Sequence, residues 1–591
     1  MLDNNTPGGM KALNGRRWAE KKPDLNNPVM LMLGCGLIFM VYLWLACSFL
    51  LSKAVWSPDE GAKLLQLHNL KWNKNILNFE LAYPGMELDA ELEYATSDPK
   101  MDLLEVRGGK WVFQRLPIFP ILVFPFFRWL GYPGIYILPA LFGALIGPLA
   151  LLLISGSRRN LLMWLTISFG SPIFIYSIIY WEHTLVVALG LLAALLATWI
   201  GESVKIRPSR EYIGWLLVGL LVSLGVFLRL EMIIFGTTLA TACVVIYKEH
   251  RRGIMLAIGL VGLLLLLYQP AHKLLLGGEA LPRNALFLFY PLAYLRHAGW
   301  QAVVDVLIGP AEDMAIQSGW PGVVWSIAAI LAIITSLSWF QKQPWRNLHL
   351  TALTVSGVAA LYFLIMPTEY RSAHGLIFTT PWALLGVTRA REVWRDSGQR
   401  GKVIVLTTIL GLLGYIIGMV GFRASSPHGG LEWGTRLALV FYPLLAIIAA
   451  WGISKKSPAE KTIIIGLLIL GLGFQVRGLL SIRQDKLMND SINQVILDSP
   501  EYYTISNLWW LSLNSAPIYP AKAIQLAASP QEISTWIQLA RRKGVKSFAL
   551  LTEDAGMINQ VIIQSSNLNL KLISTTNIGD LIHYRLAIDP P

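Results

Sequence analysis

The chain has 591 residues, 54% of them hydrophobic and only 14% charged. A soluble domain averages near a quarter charged, so composition excludes an ordinary soluble protein and points to one built in a membrane. The net charge of +13 lies in short clusters between apolar runs, not in one patch; it reads as a topology signal and excludes nucleic acid as the partner.

Taken in order, Lys11, Arg16, Arg17, Lys21 and Lys22 mark a cytoplasmic tail, residues 1–27. The apolar run that follows, about 28 to 51, is too long for a signal-peptide core and is expected to stay as the first span. A first external loop, 52–130, is rich in Asp and Glu. Its last part, 116–130, carries three prolines and Arg128, and is expected to lie at the interface as a short helix. The second crossing covers about 133 to 155 and ends at Arg158-Arg159. Beyond it, basic turns alternate with nearly neutral ones: Lys205 to Arg210, Lys248 to Arg252, Lys342 to Arg346, Arg389 to Lys402, and Lys455 to Lys461. The opposite turns carry Arg229, Arg371, Arg423 and Arg436. This alternation predicts an all-α polytopic membrane domain over 28–480, with about 13 spans and the N-terminus inside. A long external loop at 270–320 suits a lid or binding loop. Residues 481–591 read as a small extracytoplasmic α/β domain. Its strand-like runs are 502–506, 523–526 and 547–551, with helices over 530–543 and 554–564. Three cysteines, all inside apolar runs, offer neither a disulfide framework nor metal-ligand spacing.

The polar motifs interrupting these runs all emerge on one side. Ser57-Pro58-Asp59-Glu60 has the form of a capping box, which needs Ser57 and Glu60 and leaves Asp59 available as a general base. Lys63, four residues on, is spaced to pair with Asp59. Trp181-Glu182-His183 sits in a tight turn between spans. Trp suits interfacial anchoring, but an acid beside a His suggests proton handling or metal ligation. Arg229 and Glu231, two apart, would point to different faces of a helix and each need another partner, or snorkel. Arg371 and His374 follow Glu369 in another external turn. Glycines 429 and 430 precede Glu432, Trp433 and Arg436, an acid, an aromatic platform and a cation before a span. Arginine matches phosphate geometrically and stays charged when partly buried.

With Asp59-Glu60 after the first span, the interfacial helix, the external acidic turns and the α/β tail, the chain resembles the GT-C superfamily of membrane glycosyltransferases. More narrowly it is similar to the protein O-mannosyltransferases and the lipid A aminoarabinose transferase. The interfacial segment reads Leu116-Pro117-Ile118-Phe119-Pro120, where close relatives would carry a Pro-Pro-Leu-Tyr-like stretch. The resemblance implies a polyprenyl-phosphate-linked sugar donor, an extracytoplasmic acceptor, and a bacterial inner membrane as the setting. It implies that Asp59 assists the acceptor nucleophile, with Glu60 as its neighbouring acid. Position and chemistry add Glu182 as a third catalytic candidate, and Lys63, His183, Arg229, Glu231, Arg371, His374, Glu432, Trp433 and Arg436 as candidates for binding the donor phosphate or substrate. A divalent metal would help neutralise phosphate, but no ligand spacing marks one. The competing readings are a secondary transporter, a transferase of whole glycan chains like the O-antigen ligases, and a non-catalytic envelope-assembly protein.

Overall fold

Apolar runs become helices throughout the computed structural model, which describes residues 27–51, 53–73, 80–95, 104–107, 109–113, 117–154, 161–203, 207–276, 320–337, 343–366, 373, 375–425, 432–451, 453, 456–519 and 521–588. The first helix, α1 (Pro28–Trp44), starts where the Asn27 side chain accepts from the Val29 N–H and Pro28 takes the first turn. It runs on as a π-turn to Phe49. Among the described residues eight helices are long and apolar enough to cross a bilayer. They are Pro28–Phe49, Tyr132–Leu152, His183–Glu202, Pro208–Leu228, Lys248–Tyr268, Trp345–Ile365, Gln399–Gly418 and Pro458–Asp498. The protein is thus mostly helical and multi-pass.

Several expected spans are shorter or broken. Met232–Ile246 and Phe441–Ala450 fall short of full crossings. The stretch before Trp181 splits into Leu161–Phe169 and Ile173–Ser177 around Gly170-Ser171-Pro172. Proline cannot donate there, and the carbonyl it would have served, that of Ser168, instead accepts the Tyr42 hydroxyl at 2.6 Å. The segment expected at the interface forms α3 (Ile118–Leu130). Thirteen residues reach about 20 Å, too short for a roughly 30 Å core. It buries Phe119, Val123 and Phe127 at helical spacing and leaves Leu122, Trp129 and Leu130 exposed. The expected external loop at 270–320 lies mostly outside the described residues.

Between the first span and α3 stands α2 (Pro58–Asn73), a polar helix with Asp59 and Glu60 in its first turn. The last span corrects the expected boundary near 481. It continues unbroken as one helix, here α4 (Pro458–Asp498), whose 41 residues extend about 60 Å. The C-terminal part holds a five-stranded sheet. β1 (Tyr503–Ser506), β2 (Ala523–Leu526) and β3 (Ser547–Thr552) are the expected strands. An unpredicted hairpin, β4 (Leu570–Ile578) and β5 (Leu581–Ile588), completes it. The order is β2-β1-β3-β5-β4, parallel among the first three and antiparallel beyond. A short helix, α5 (Trp509–Asn514), also unpredicted, follows β1. Helices Pro530–Arg542 and Met557–Gln564 pack on the sheet, with Trp536 and Val561 in one apolar cluster with Ile505, Phe548 and Leu550. Residues 80–95 lie on the β2 edge, where the Leu526 N–H donates to the Tyr94 carbonyl.

Candidate active site

The ends of separate helices bring most of the singled-out residues into one buried network. Asp59 opens α2 and accepts from the Arg436 guanidinium at 3.1 Å. Arg436 also makes an ion pair with Glu432, four residues earlier, at 3.1 Å. Lys63, spaced to serve Asp59, makes its ion pair with Glu182 at 2.7 Å. Glu182 holds Arg229 at 3.2 Å, and Arg229 holds Glu231 at 2.7 Å. Four carboxylates therefore share three cations, all of them at most 16% exposed.

The Arg229–Glu231 contact corrects the expectation that these two could not meet. That expectation assumed a helix, but the helix ends at Leu228 and Arg229 is extended, with φ −150°. The next helix starts only at Met232, so the chain turns between the two residues and folds one side chain onto the other.

Aromatic rings organise the centre. Trp181 is fully buried, with the Lys63 ammonium 5.0 Å from its centroid and the Arg436 guanidinium 5.4 Å away. His183 stacks on Tyr176 and on Trp181, at 4.8 and 5.0 Å, in a three-ring cluster whose Tyr176 and Trp181 centroids lie 5.5 Å apart. Trp433 is fully buried, and its backbone N–H donates to the Tyr176 hydroxyl. Gly434 follows at φ +66°, packed so closely on Pro172 and Thr379 that a side chain there would collide. That turn aims Glu432 and Arg436 at the same point. The Ala373 N–H donates to the Glu432 carbonyl and anchors it further. The expected site residues Arg371 and His374, and glycines 429 and 430, lie outside the described residues.

Glu60 departs from the simple capping box. The Ser57 hydroxyl accepts from the Glu60 N–H as expected. The Glu60 carboxylate reaches past Ser57 to the Trp56 N–H at 2.6 Å and across to the Tyr180 N–H at 3.0 Å. Lys486 stands 3.8 Å away, fully buried. Lys486, Tyr176 and Trp56 were not singled out from sequence. For Lys486 a signal existed: Ile482, Lys486, Asn489, Asn493 and Ile496 recur at helical spacing past the expected end of the last span, and all are buried.

Burial opposes the charge on Glu182, but Lys63 and then Arg229 outweigh it and hold the carboxyl down at about 2. Burial likewise opposes the charge on Arg229 and Arg436, and neighbouring carboxylates raise both above the ordinary guanidinium range. Glu182, Arg229 and Arg436 are thus each held in the charged form. Among the described residues no group of three or more His, Cys, Asp and Glu could hold a metal ion.

No known family model matches this sequence, and no curated protein matches it. Among solved structures the chain is similar to ArnT from Cupriavidus metallidurans in the apo state, at 11% identity over 94% of this chain and 97% of that one, with a TM-score of 0.41. The same protein bound to undecaprenyl phosphate matches at 10% identity over the same shares, with a TM-score of 0.39. The oligosaccharyltransferase of Archaeoglobus fulgidus in its apo form matches at 10% identity over 88% of this chain and 69% of that one, with a TM-score of 0.45.

Proposed function

We propose that this protein is an integral-membrane glycosyltransferase that moves a sugar from a polyprenyl-phosphate-linked donor to an extracytoplasmic acceptor. The observation that carries the reading is the Asp59–Arg436 pair, a carboxylate on a polar helix held 3.1 Å from a cation rooted in the helical bundle. An inverting displacement needs both groups together: a base for the acceptor hydroxyl and cations for the departing phosphate. A lipid-linked donor is amphipathic, so its reacting atoms belong where membrane helices end and charged side chains begin.

In this reading Asp59 takes the acceptor proton as the acceptor oxygen attacks the anomeric carbon and the bond to phosphate breaks. A donor phosphate competes for Arg436 and loosens its hold on Asp59, leaving the carboxylate to the acceptor hydroxyl. Lys63 and Arg229 supply the neighbouring positive charge. Glu182, expected among the catalytic acids, is better suited to aligning those two cations, since a carboxyl held at about 2 takes up protons poorly. Glu60, spent on two backbone N–H groups, suits a framework role. Trp181 and Trp433, both fully buried, back the site as supporting rings, with His183 stacked on Trp181, and Glu231 and Glu432 hold Arg229 and Arg436 in place. The side of the membrane, the bacterial setting and the count of about 13 spans belong to the same proposal, and the alternating basic turns support the first and the last of these.

The test is binding and turnover of a radiolabelled polyprenyl-phosphate sugar panel by purified protein, comparing wild type with Asp59→Asn. Binding by both, with transfer only by wild type, is the expected result. Failure of well-folded wild type to bind any donor would overturn the transferase reading.

A further inference from the structure

Asp59 belongs to a helix outside the bundle, so something must fix that helix against Arg436. Two parts of the chain more than 400 residues away do so. The first is the extension of α4 beyond the span. Asp485 accepts the Trp56 indole N–H at 3.0 Å, the Asn489 amide donates to the Val55 carbonyl at 3.0 Å, and Lys486 faces Glu60. The second is α5 of the C-terminal domain. Gly61 lies so close to it that a Cβ would fall on the Leu513 carbonyl oxygen, deep inside van der Waals contact.

Asn489 joins the two parts. While its NH2 group donates to Val55, its oxygen accepts from the Asn514 amide at 3.4 Å, and Asn493 donates to the Asn514 carbonyl. All three asparagines are buried. A buried amide that loses a partner is penalised for desolvation, so this joint has little freedom to slide.

We infer that Asn489 and Gly61 are positioning residues that set the place of Asp59 against Arg436, and that the C-terminal domain is thereby a working part of the site. The inference rests on the reading of Asp59 as the base. Asn489 orients the chain entering α2, and Gly61, two residues past Asp59, sets how deeply α2 seats on α5. Neither touches Glu182, Arg229 or the Arg436–Glu432 pair in the contacts described above; of the donor-side cations only Lys63 shares α2 with Asp59, while Arg229 and Arg436 stay in the bundle. Their loss should disturb the base more than donor binding.

The experiment uses full-length protein in lipid nanodiscs, as wild type, Asn489→Ala and Gly61→Ala. It measures kcat and Kd with whichever labelled polyprenyl-phosphate sugar wild type uses, and amide hydrogen exchange over residues 55–63 and 183–202. Displacing a base by about 1 Å lowers turnover by roughly 100-fold. Each variant should therefore lose turnover on that scale, keep its donor Kd within about threefold, and exchange faster at 55–63 while 183–202 stays protected. A Kd that weakens as much as kcat falls, or full turnover despite faster exchange at 55–63, would overturn the inference. Should wild type transfer no sugar, the transferase reading fails by itself and the exchange arm still decides the clamp: unchanged exchange at 55–63 in both variants refutes it.

Discussion

Replacing Glu182 by Gln tests whether the buried network is as tightly balanced as its distances suggest. Glu182 is 2% exposed and neutralises Lys63 at 2.7 Å and Arg229 at 3.2 Å. Arg229 would keep Glu231 at 2.7 Å. Lys63 would keep chiefly the Trp181 ring, and a cation–π contact is worth about 0.5–2 kcal/mol. Removing one partner of a buried pair costs about 3–5 kcal/mol. A loss near 4 kcal/mol is therefore expected. The double variant Glu182→Gln/Lys63→Met removes the stranded charge and should recover most of the loss. The assay is thermal and denaturant unfolding in one detergent at pH 7. A single variant within about 1 kcal/mol of wild type, or a double variant no better than the single, would refute the reasoning.

Two further outcomes follow from the same geometry. Gly434→Ala forces a side chain into a left-handed conformation against Pro172 and should lower stability by at least about 2 kcal/mol, displacing Glu432 and Arg436 and weakening donor binding; wild-type thermal stability would count against it. His68, packed on Phe127 and Tyr132, is lowered to about 4 by burial and, to a lesser degree, by Lys71. The unfolded chain binds that proton near 6.5, so its contribution is complete above pH 6.5 and is lost as pH falls towards 4, by about 3 kcal/mol at most. His68→Phe should flatten the unfolding-versus-pH curve in that window, and an unchanged slope would show that His68 is not its source.

What the sequence made legible was the set of charged turns, because a bilayer tolerates such residues only where helices end. Asp59, Lys63, Glu182, Arg229, Glu231, Glu432 and Arg436 were all picked out by that rule, and they meet in one network. Who pairs with whom was not legible. Lys63 looked local to Asp59 because i,i+4 spacing is visible, whereas its partner Glu182 arrives from 119 positions away. Arg229 and Glu231 were misjudged because the pairing rule depends on a helix that stops one residue too early. The extension of α4 was hidden because apolar content, the signal for a span, ends near Leu480 while helical periodicity continues through polar Lys486, Asn489 and Asn493. The β4–β5 hairpin went unread because β4 shows mostly exposed residues and lacks clean alternation.

The two ends of the bundle differ in a way that bears on the transporter alternative. Where the helix Pro208–Leu228 begins, the contacts are mostly partly exposed: Glu211 with His250, Glu202 with Arg400, Glu392 with Lys456 and with the buried Arg389, and Glu460 with Arg346. Such pairs stitch neighbouring elements together and contribute little each. Where the same helix ends, the charges are buried, shared and tied to stacked aromatic rings. A buried network of this kind is a poor device for stability, because desolvation cancels much of its attraction. A transporter needs its polar groups near the midplane, reachable from each side in turn. The helix His183–Glu202 has its charged neighbours only at its ends, Glu182 against Arg229 and Glu202 against Arg400, with apolar side chains and hydroxyls between. Among the described residues the ion pairs of the helical part belong to one end or the other. Charge concentrated at one end, beneath a clamped polar helix, favours chemistry on a ligand that arrives at that end over passage of one through the bundle.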